Sequence, residues 1–184
     1  MKISLRPLSN INGSILEELK ERVKSIFGCP VEIRPSIGSL EYAYDPKRKQ
    51  YLAPSLISYL NTLETSPLAP SPFIGEGWGE ERVVGIVDVD LYAPGLNFVF
   101  GEADIKSGVA IVSLCRLRQE YYGLPADKAL FMERAVKEIV HELGHTFGLG
   151  HCPDAKCVMH FSNSLADTDY KGMNFCSKCR PRII

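Results

Sequence analysis

The chain has 184 residues, 45% of them hydrophobic, and 21 basic against 22 acidic side chains give a formal charge of −1. Length and apolar content allow one domain with a sizeable core and exclude a disordered tail. The near-neutral charge excludes the electrostatic footprint of a protein that binds nucleic acid or an anionic membrane, and no apolar run approaches the ~18 residues of a membrane span.

In chain order, Lys2–Leu5 reads as a strand, followed by a helix from Ile15 to Phe27. Ser14 with Glu17 makes a capping-box pattern, and Gly28 with Pro30 stops the helix. Val31–Ile37 alternates apolar and polar residues as a strand would, and Pro54–Leu63 carries a second helical pattern. Ser66–Gly79 is rich in proline and glycine and reads as an ordered surface loop. Three branched apolar runs, Arg82–Val89, Asn97–Phe100 and Val109–Leu114, read as buried strands. Pro125 sits where a first helical turn would begin, and a helix of roughly 33 Å then runs to Phe147. Strands with interspersed helices predict an α/β or α+β domain over 1–184. Within it, 1–147 would form an N-terminal subdomain, and 148–184 a Cys-rich C-terminal part. Met1–Asn10 lacks the apolar stretch of a signal peptide, so the expected location is the cytoplasm.

The decisive stretch runs from His141 to His151, HELGHTFGLGH, with the pattern HExxHxxGxxH. Two histidines at i and i+4 lie ~40° apart in projection on a helix, so both imidazoles can reach one ion. Glu142 projects ~100° round from His141, beside the metal, which suits a general base. Gly148 can take the positive φ that ends the helix and lets His151 supply a third ligand. Three protein ligands leave the fourth zinc position open, as in catalytic sites. On this helix Ala129, Met132, Val136, Ile139, Val140, Leu143 and Phe147 form an apolar stripe. His141 and His145 project from the other side with Arg134 and Glu138, toward a cleft or solvent. At this composition a bare HExxH arises by chance in ~0.6% of chains, the full pattern in about one in 10⁵.

Four of the six cysteines fall in the last 33 residues. Cys152 and Cys157, then Cys176 and Cys179, form two pairs with zinc-ligand spacing. They predict a closed structural site that pins His151; two disulfides or a single regulatory pair are the alternatives. Cys29 and Cys115 read as buried thiols and His160 as a spare. Met159, eight residues after His151, could form an apolar floor beneath the metal. A redox role for Cys176–Cys179 lacks the strand-to-helix context it would need.

Together these residues resemble the metzincin metalloproteases. More narrowly, they resemble the archaemetzincins, whose pattern joins HExxHxxGxxH to Cys-x₄-Cys-x-Met and a later Cys-x-x-Cys. The 16 residues between Met159 and Cys176 are about one fewer than that family has. The resemblance implies a twisted mixed sheet with two helices above a cleft. It implies catalytic zinc on His141, His145 and His151, Glu142 as general base, Met159 as the Met-turn residue, and a second zinc on the four cysteines. Asn97–Ala103 would be the edge strand that pairs with an extended peptide. No tyrosine shortly follows Met159, so a tyrosine ligand is not expected. The implied activity is peptide hydrolysis, including aminopeptidase action, on peptide or protein substrates and without nucleic-acid or membrane partners. The competing expectation is a zinc-stabilised peptide-binding protein whose metalloprotease site is occluded or inactive.

Overall fold

The computed structural model describes residues 1–65 and 81–183. The loop expected over Ser66–Gly79 lies outside the described residues. In chain order the elements are β1 (Lys2–Pro7), α1 (Gly13–Phe27), β2 (Val31–Ile33), β3 (Tyr44–Asp45), β4 (Gln50–Leu52), α2 (Ala53–Thr65), β5 (Glu81–Val87), β6 (Leu91–Tyr92), β7 (Gly101–Asp104), β8 (Val109–Ser113), α3 (Lys128–Thr146) and α4 (Leu165–Tyr170). Five strands form one sheet in the order β2-β1-β5-β8-β7. All neighbours in it are parallel except β7, which runs antiparallel to β8. β3, β4 and β6 make a second, smaller sheet.

The strand runs read as continuously apolar because both faces of the large sheet are covered. Val84, Ile86, Ala110 and Val112 share a core with Leu19 and Val23 of α1 and with Met132 and Val136 of α3. Val83, Val87, Val109 and Ile111 point the other way, into a core with Leu56 and Leu60 of α2. The fold is thus mixed α/β, as the sequence predicts, and the structure places helices on both faces of the large sheet.

Several boundaries differ from expectation. α1 is capped by Asn12 and not by a box of Ser14 and Glu17. The Asn12 Oδ1 accepts from both the backbone N–H and the hydroxyl of Ser14 at 2.8 Å, and Glu17 pairs instead with Lys20. Gly28 closes the helix at φ 68, as its position suggested. β2 stops at Ile33, two residues before Pro35, which has no N–H to give a ladder. Pro125 precedes α3 without opening it: Asp127 is the cap, accepting from the Leu130 N–H at 2.9 Å. With 19 residues α3 is ~28 Å long.

α3 is buried on nearly all sides, including Arg134, Lys137, Glu138, His141 and Glu142. Its polar face is largely covered, and Glu138, His141 and His145 face a cleft, one of the two orientations expected from the sequence. The chain beyond residue 147 folds back over that face. Asp169 at the end of α4 takes both Nε and an Nη of Arg134 at 2.6 Å, and its carbonyl accepts from Lys137 Nζ. The Cys-rich segment also joins the main core, through Val158, Met159, Phe175 and Ile183. No helix among the described residues is long and apolar enough to cross a membrane.

Candidate active site and metal centres

The last turns of α3 deliver His141 and His145. The helix then ends in a left-handed glycine, Gly148 at φ 79, and its N–H donates to the His145 carbonyl at 2.9 Å. That reversal brings His151 back toward the other two. Nitrogen atoms of the three rings all lie within 4.8 Å of one another, and ring centroids are 4.6 to 5.4 Å apart. His141 is buried, His145 half-buried and His151 exposed, its outer face packed on the Phe161 ring at 4.8 Å.

Two backbone carbonyls fix the tautomers. His141 Nδ1 lies 2.8 Å from the Val158 oxygen and His145 Nδ1 2.8 Å from the Leu149 oxygen. A carbonyl only accepts, so both Nδ1 atoms carry hydrogen and both Nε2 atoms present lone pairs. Those Nε2 atoms face each other at 3.1 Å. With no proton to share, two acceptors so close repel, and a cation between them satisfies both. Burial above all, then the nearby Lys171 charge, holds His141 well below its ordinary range, so it is neutral and able to ligate.

Glu142 is buried beside the three rings and makes no hydrogen bond among the described residues. Burial first, and then the like charges of Glu138 and Glu102, push its carboxyl well above the ordinary range, against an opposing pull from Lys171. The close approach of β7 depends on Gly101. A Cβ there would lie 2.6 Å from Glu142 Cγ and 2.7 Å from the Ile111 carbonyl. Met159 is fully buried and packs on Gly144 of α3, where a Cβ would clash with its sulfur. It therefore lies against α3 at the residue before His145.

Cys152, Cys157, Cys176 and Cys179 form a second group, with ligand atoms also within 4.8 Å of one another. All six cysteines are free thiols, so neither disulfide alternative is present. Cys152 and Cys176 sulfurs are 3.8 Å apart, and the Cys176 N–H donates to the Cys157 sulfur at 3.3 Å. Cys176 is drawn down to about 7, chiefly by the backbone N–H of Cys179, which favours a thiolate. Cys29 is buried as expected, whereas Cys115 is only half-buried, and neither belongs to a metal-type group. His160 bonds the Cys152 carbonyl through Nδ1 at 3.0 Å and stays outside the cluster.

A cleft of about 530 Å³ opens over the histidines, between the stretch Leu96–Ala103 and the stretch Phe161–Asn163. The edge strand expected over Asn97–Ala103 begins its ladder at Gly101, with Val99 making only a single bridge to Leu91. Three charged residues at the site carried no role in the sequence reading. Lys171 is fully buried and pairs at 3.0 Å with Glu138, which also accepts from the Thr168 hydroxyl. Glu138 sits one turn before His141 on the same face, a spacing that marks it as a neighbour. Nothing local marks Lys171. Glu102 lines the cleft from β7.

Comparison with known proteins agrees with this arrangement. The model of peptidase family M54 matches residues 8–183. The archaemetzincin of Methanocaldococcus jannaschii is 40% identical over 100% of this chain and 93% of its own length. A crystal structure described as a zinc-dependent peptidase from Methanocorpusculum labreanum superposes with a TM-score of 0.89 at 34% identity, covering 99% of this chain and 100% of that one. The archaemetzincin of Archaeoglobus fulgidus, crystallised with malonate, gives a TM-score of 0.78 at 36% identity, covering 99% of each chain. The fold is the mixed α/β archaemetzincin fold, and the chain belongs to peptidase family M54, the archaemetzincin metallopeptidases.

Proposed function

We propose that this protein hydrolyses peptide bonds with zinc held by His141, His145 and His151 and with Glu142 as general base. The facing Nε2 atoms, 3.1 Å apart, carry the reading. Two Zn–N bonds of about 2.05 Å at a tetrahedral centre place their nitrogens ~3.3 Å apart. The relative from Methanocorpusculum labreanum, described as a zinc-dependent peptidase, supports it. The same arithmetic fits a second, structural zinc on Cys152, Cys157, Cys176 and Cys179. Zn–S bonds of about 2.3 Å give ~3.8 Å between sulfurs, and Cys152 and Cys176 are 3.8 Å apart. Two zinc ions per chain follow, and free thiols in that number suit a reducing compartment such as the cytoplasm. The core shared by 1–147 and 148–184 supports one catalytic domain over 1–184.

Zinc bound to the histidines supplies Lewis acidity toward a water and the scissile carbonyl. Glu142, with no hydrogen-bond partner among the described residues, accepts the proton of the attacking water and passes it to the amine nitrogen as the C–N bond breaks. Val158 and Leu149 hold the two imidazoles in the ligating tautomer. The outer edge of β7, the last strand of the sheet, offers backbone groups to an extended peptide. Met159 packs beneath as the Met-turn residue.

Metal content of the wild type and of Glu142→Gln, beside a quenched-fluorescent peptide library, tests this. The expected result is two zinc ions in both proteins and turnover at least ~10²-fold lower in the variant. Full activity in Glu142→Gln removes the base assignment, and fewer than two zinc ions removes the metal assignment. Free against N-acetylated peptides separate aminopeptidase action from internal cleavage. One observation favours a second reading: His141 and Glu142 are only 5% and 6% exposed. Two zinc ions without turnover in the wild type would indicate a peptide-binding protein with a covered site.

A further inference from the structure

His151 is held differently from the other two histidines. The Val158 and Leu149 carbonyls take the Nδ1 hydrogens of His141 and His145. Neither nitrogen of His151 makes a hydrogen bond among the described residues, and His151 is the exposed member of the three. A ligating imidazole almost always carries such a bond on its second nitrogen, which fixes both tautomer and ring direction. Without one, the ring turns about χ2, a soft and roughly two-fold torsion.

What touches His151 instead is Phe161, with ring centroids 4.8 Å apart and planes inclined at 59°. Exposed apolar side chains are common and by themselves mean little. Phe161 stands apart because it is 52% exposed and belongs to neither hydrophobic core, yet keeps an aromatic contact with a metal-type histidine. Its place is built by the backbone around it. The Cys152 N–H donates to the Met159 carbonyl at 2.9 Å, and His160 Nδ1 donates to the Cys152 carbonyl at 3.0 Å. Residue 152 is thus stitched to residues 159 and 160, which brings the residues next outward, His151 and Phe161, side by side.

We propose that Phe161 is a positioning residue: its ring covers one side of the His151 imidazole and holds it toward the other two histidines, in place of the hydrogen bond that His141 and His145 have. This rests on the proposed zinc at the three histidines. A ring ordered before the metal arrives loses less freedom on binding. Groups that orient a metal ligand correspond to about 10-fold or more in metal affinity, and an aromatic pair alone to roughly 2- to 10-fold.

The test titrates zinc-loaded wild type, Phe161→Ala and Phe161→Leu with a zinc chelator. Zinc left on the protein is measured beside turnover of quenched-fluorescent peptides, and a thiol reagent reads release from the cysteines separately. Phe161→Ala is expected to give up the histidine zinc at about 10-fold lower chelator concentration. Its cysteine zinc should be unchanged, and its kcat should recover as free zinc is raised. Phe161→Leu keeps the apolar cover and should stay within about threefold of the wild type. Equal release from wild type and Phe161→Ala overturns the proposal, and so does a rise in KM alone, which would make Phe161 a substrate contact. Loss of both zinc ions together in Phe161→Ala also overturns it, because the ring would then be holding the fold. Turnover keeps the two proposals apart. Zinc affinity that responds to Phe161 in a protein without turnover would overturn the peptidase function and leave the positioning role in place, and turnover without that response would do the reverse. A wild type that binds no zinc at the histidines overturns both.

Discussion

His141 Nδ1 donates to the Val158 carbonyl at 2.8 Å, and Val158 lies between Cys157 of the thiol cluster and Met159 of the core. The orientation of the first metal-type histidine is therefore set by the segment that the cysteines hold. A second bond closes the loop, since the Cys152 N–H donates to the Met159 carbonyl at 2.9 Å and Cys152 directly follows His151. The two clusters thus form one mechanical unit. Groups of this kind, hydrogen-bonded to a ligating imidazole, tune metal affinity and activity by 10–100-fold elsewhere.

Cys176→Ser tests that coupling. Cys176 stands 24 residues from Cys152 and touches none of the three histidines in the contacts described. If the cysteines only anchored the tail, activity would survive their loss. The bond through Val158 predicts otherwise: one zinc is lost, catalytic efficiency drops by about 10-fold or more, and Tm falls by roughly 10 °C. Metal analysis, peptide turnover and a thermal melt read the three effects. Two retained zinc ions with an unshifted Tm would refute the structural site.

The buried pair of Lys171 and Glu138 makes a second prediction. Both side chains are almost wholly enclosed, at 0% and 3% exposure. Lys171→Met leaves the Glu138 charge unpaired in the core and should cost about 3–5 kcal/mol, or roughly 10 °C in Tm. The double variant Lys171→Met with Glu138→Met removes both charges and should recover most of that loss. Thermal unfolding of the two proteins side by side decides it, and equal melting temperatures would show that the pair is not coupled.

The two metal-type clusters were legible because their signals are local. HExxHxxGxxH puts two imidazoles on one helix face by geometry alone, and the glycine that turns the third back lies inside the motif. The buried strands were legible because β5 and β8 are covered on both faces and so carry unbroken apolar runs. What escaped depends on contacts across the chain. Lys171 reaches Glu138 over 33 positions, and no period or spacing announces such a pair. The burial of Arg134 and Lys137 on α3 was illegible for the same reason: their cover is Asp169, in the segment beyond residue 147. The start of β7 was misplaced because Phe98 and Val99 are as apolar as a strand, yet they bend into the cleft wall. At α1 two capping chemistries were available within three residues, and the Asn12 amide claimed the hydroxyl that the Ser14 box needed.

Gly101→Ala should separate proximity from metal binding. The added methyl would meet the Ile111 carbonyl at 2.7 Å, and backbone in a paired strand cannot retreat cheaply. It would also meet Glu142 Cγ at 2.6 Å, so the carboxylate must move. Misplacing a catalytic group by about 1 Å can cost ~10²-fold in rate. Turnover should therefore fall by about that factor while the zinc content holds at the wild-type value. Metal analysis and kcat on one preparation check this, and undiminished kcat would mean that β7 does not position Glu142.

Glu102 gives a stability signature that depends on pH and needs no substrate. Burial raises its carboxyl above the ordinary 4.5, so across the interval above that value the folded state holds a proton that the unfolded chain has released. Folding stability consequently declines as pH rises through 4.5 toward the folded-state value, and the full penalty of the buried charge is present above both. Glu102→Gln abolishes the ionisation and with it the penalty. The variant should melt higher than the wild type at pH 7, and the difference should shrink to near zero at about pH 4, where both carry a neutral side chain. Paired melts across that range decide it: a variant that is less stable at pH 7, or equally shifted at both pH values, would mean that the Glu102 carboxylate is satisfied in the folded protein and free of strain.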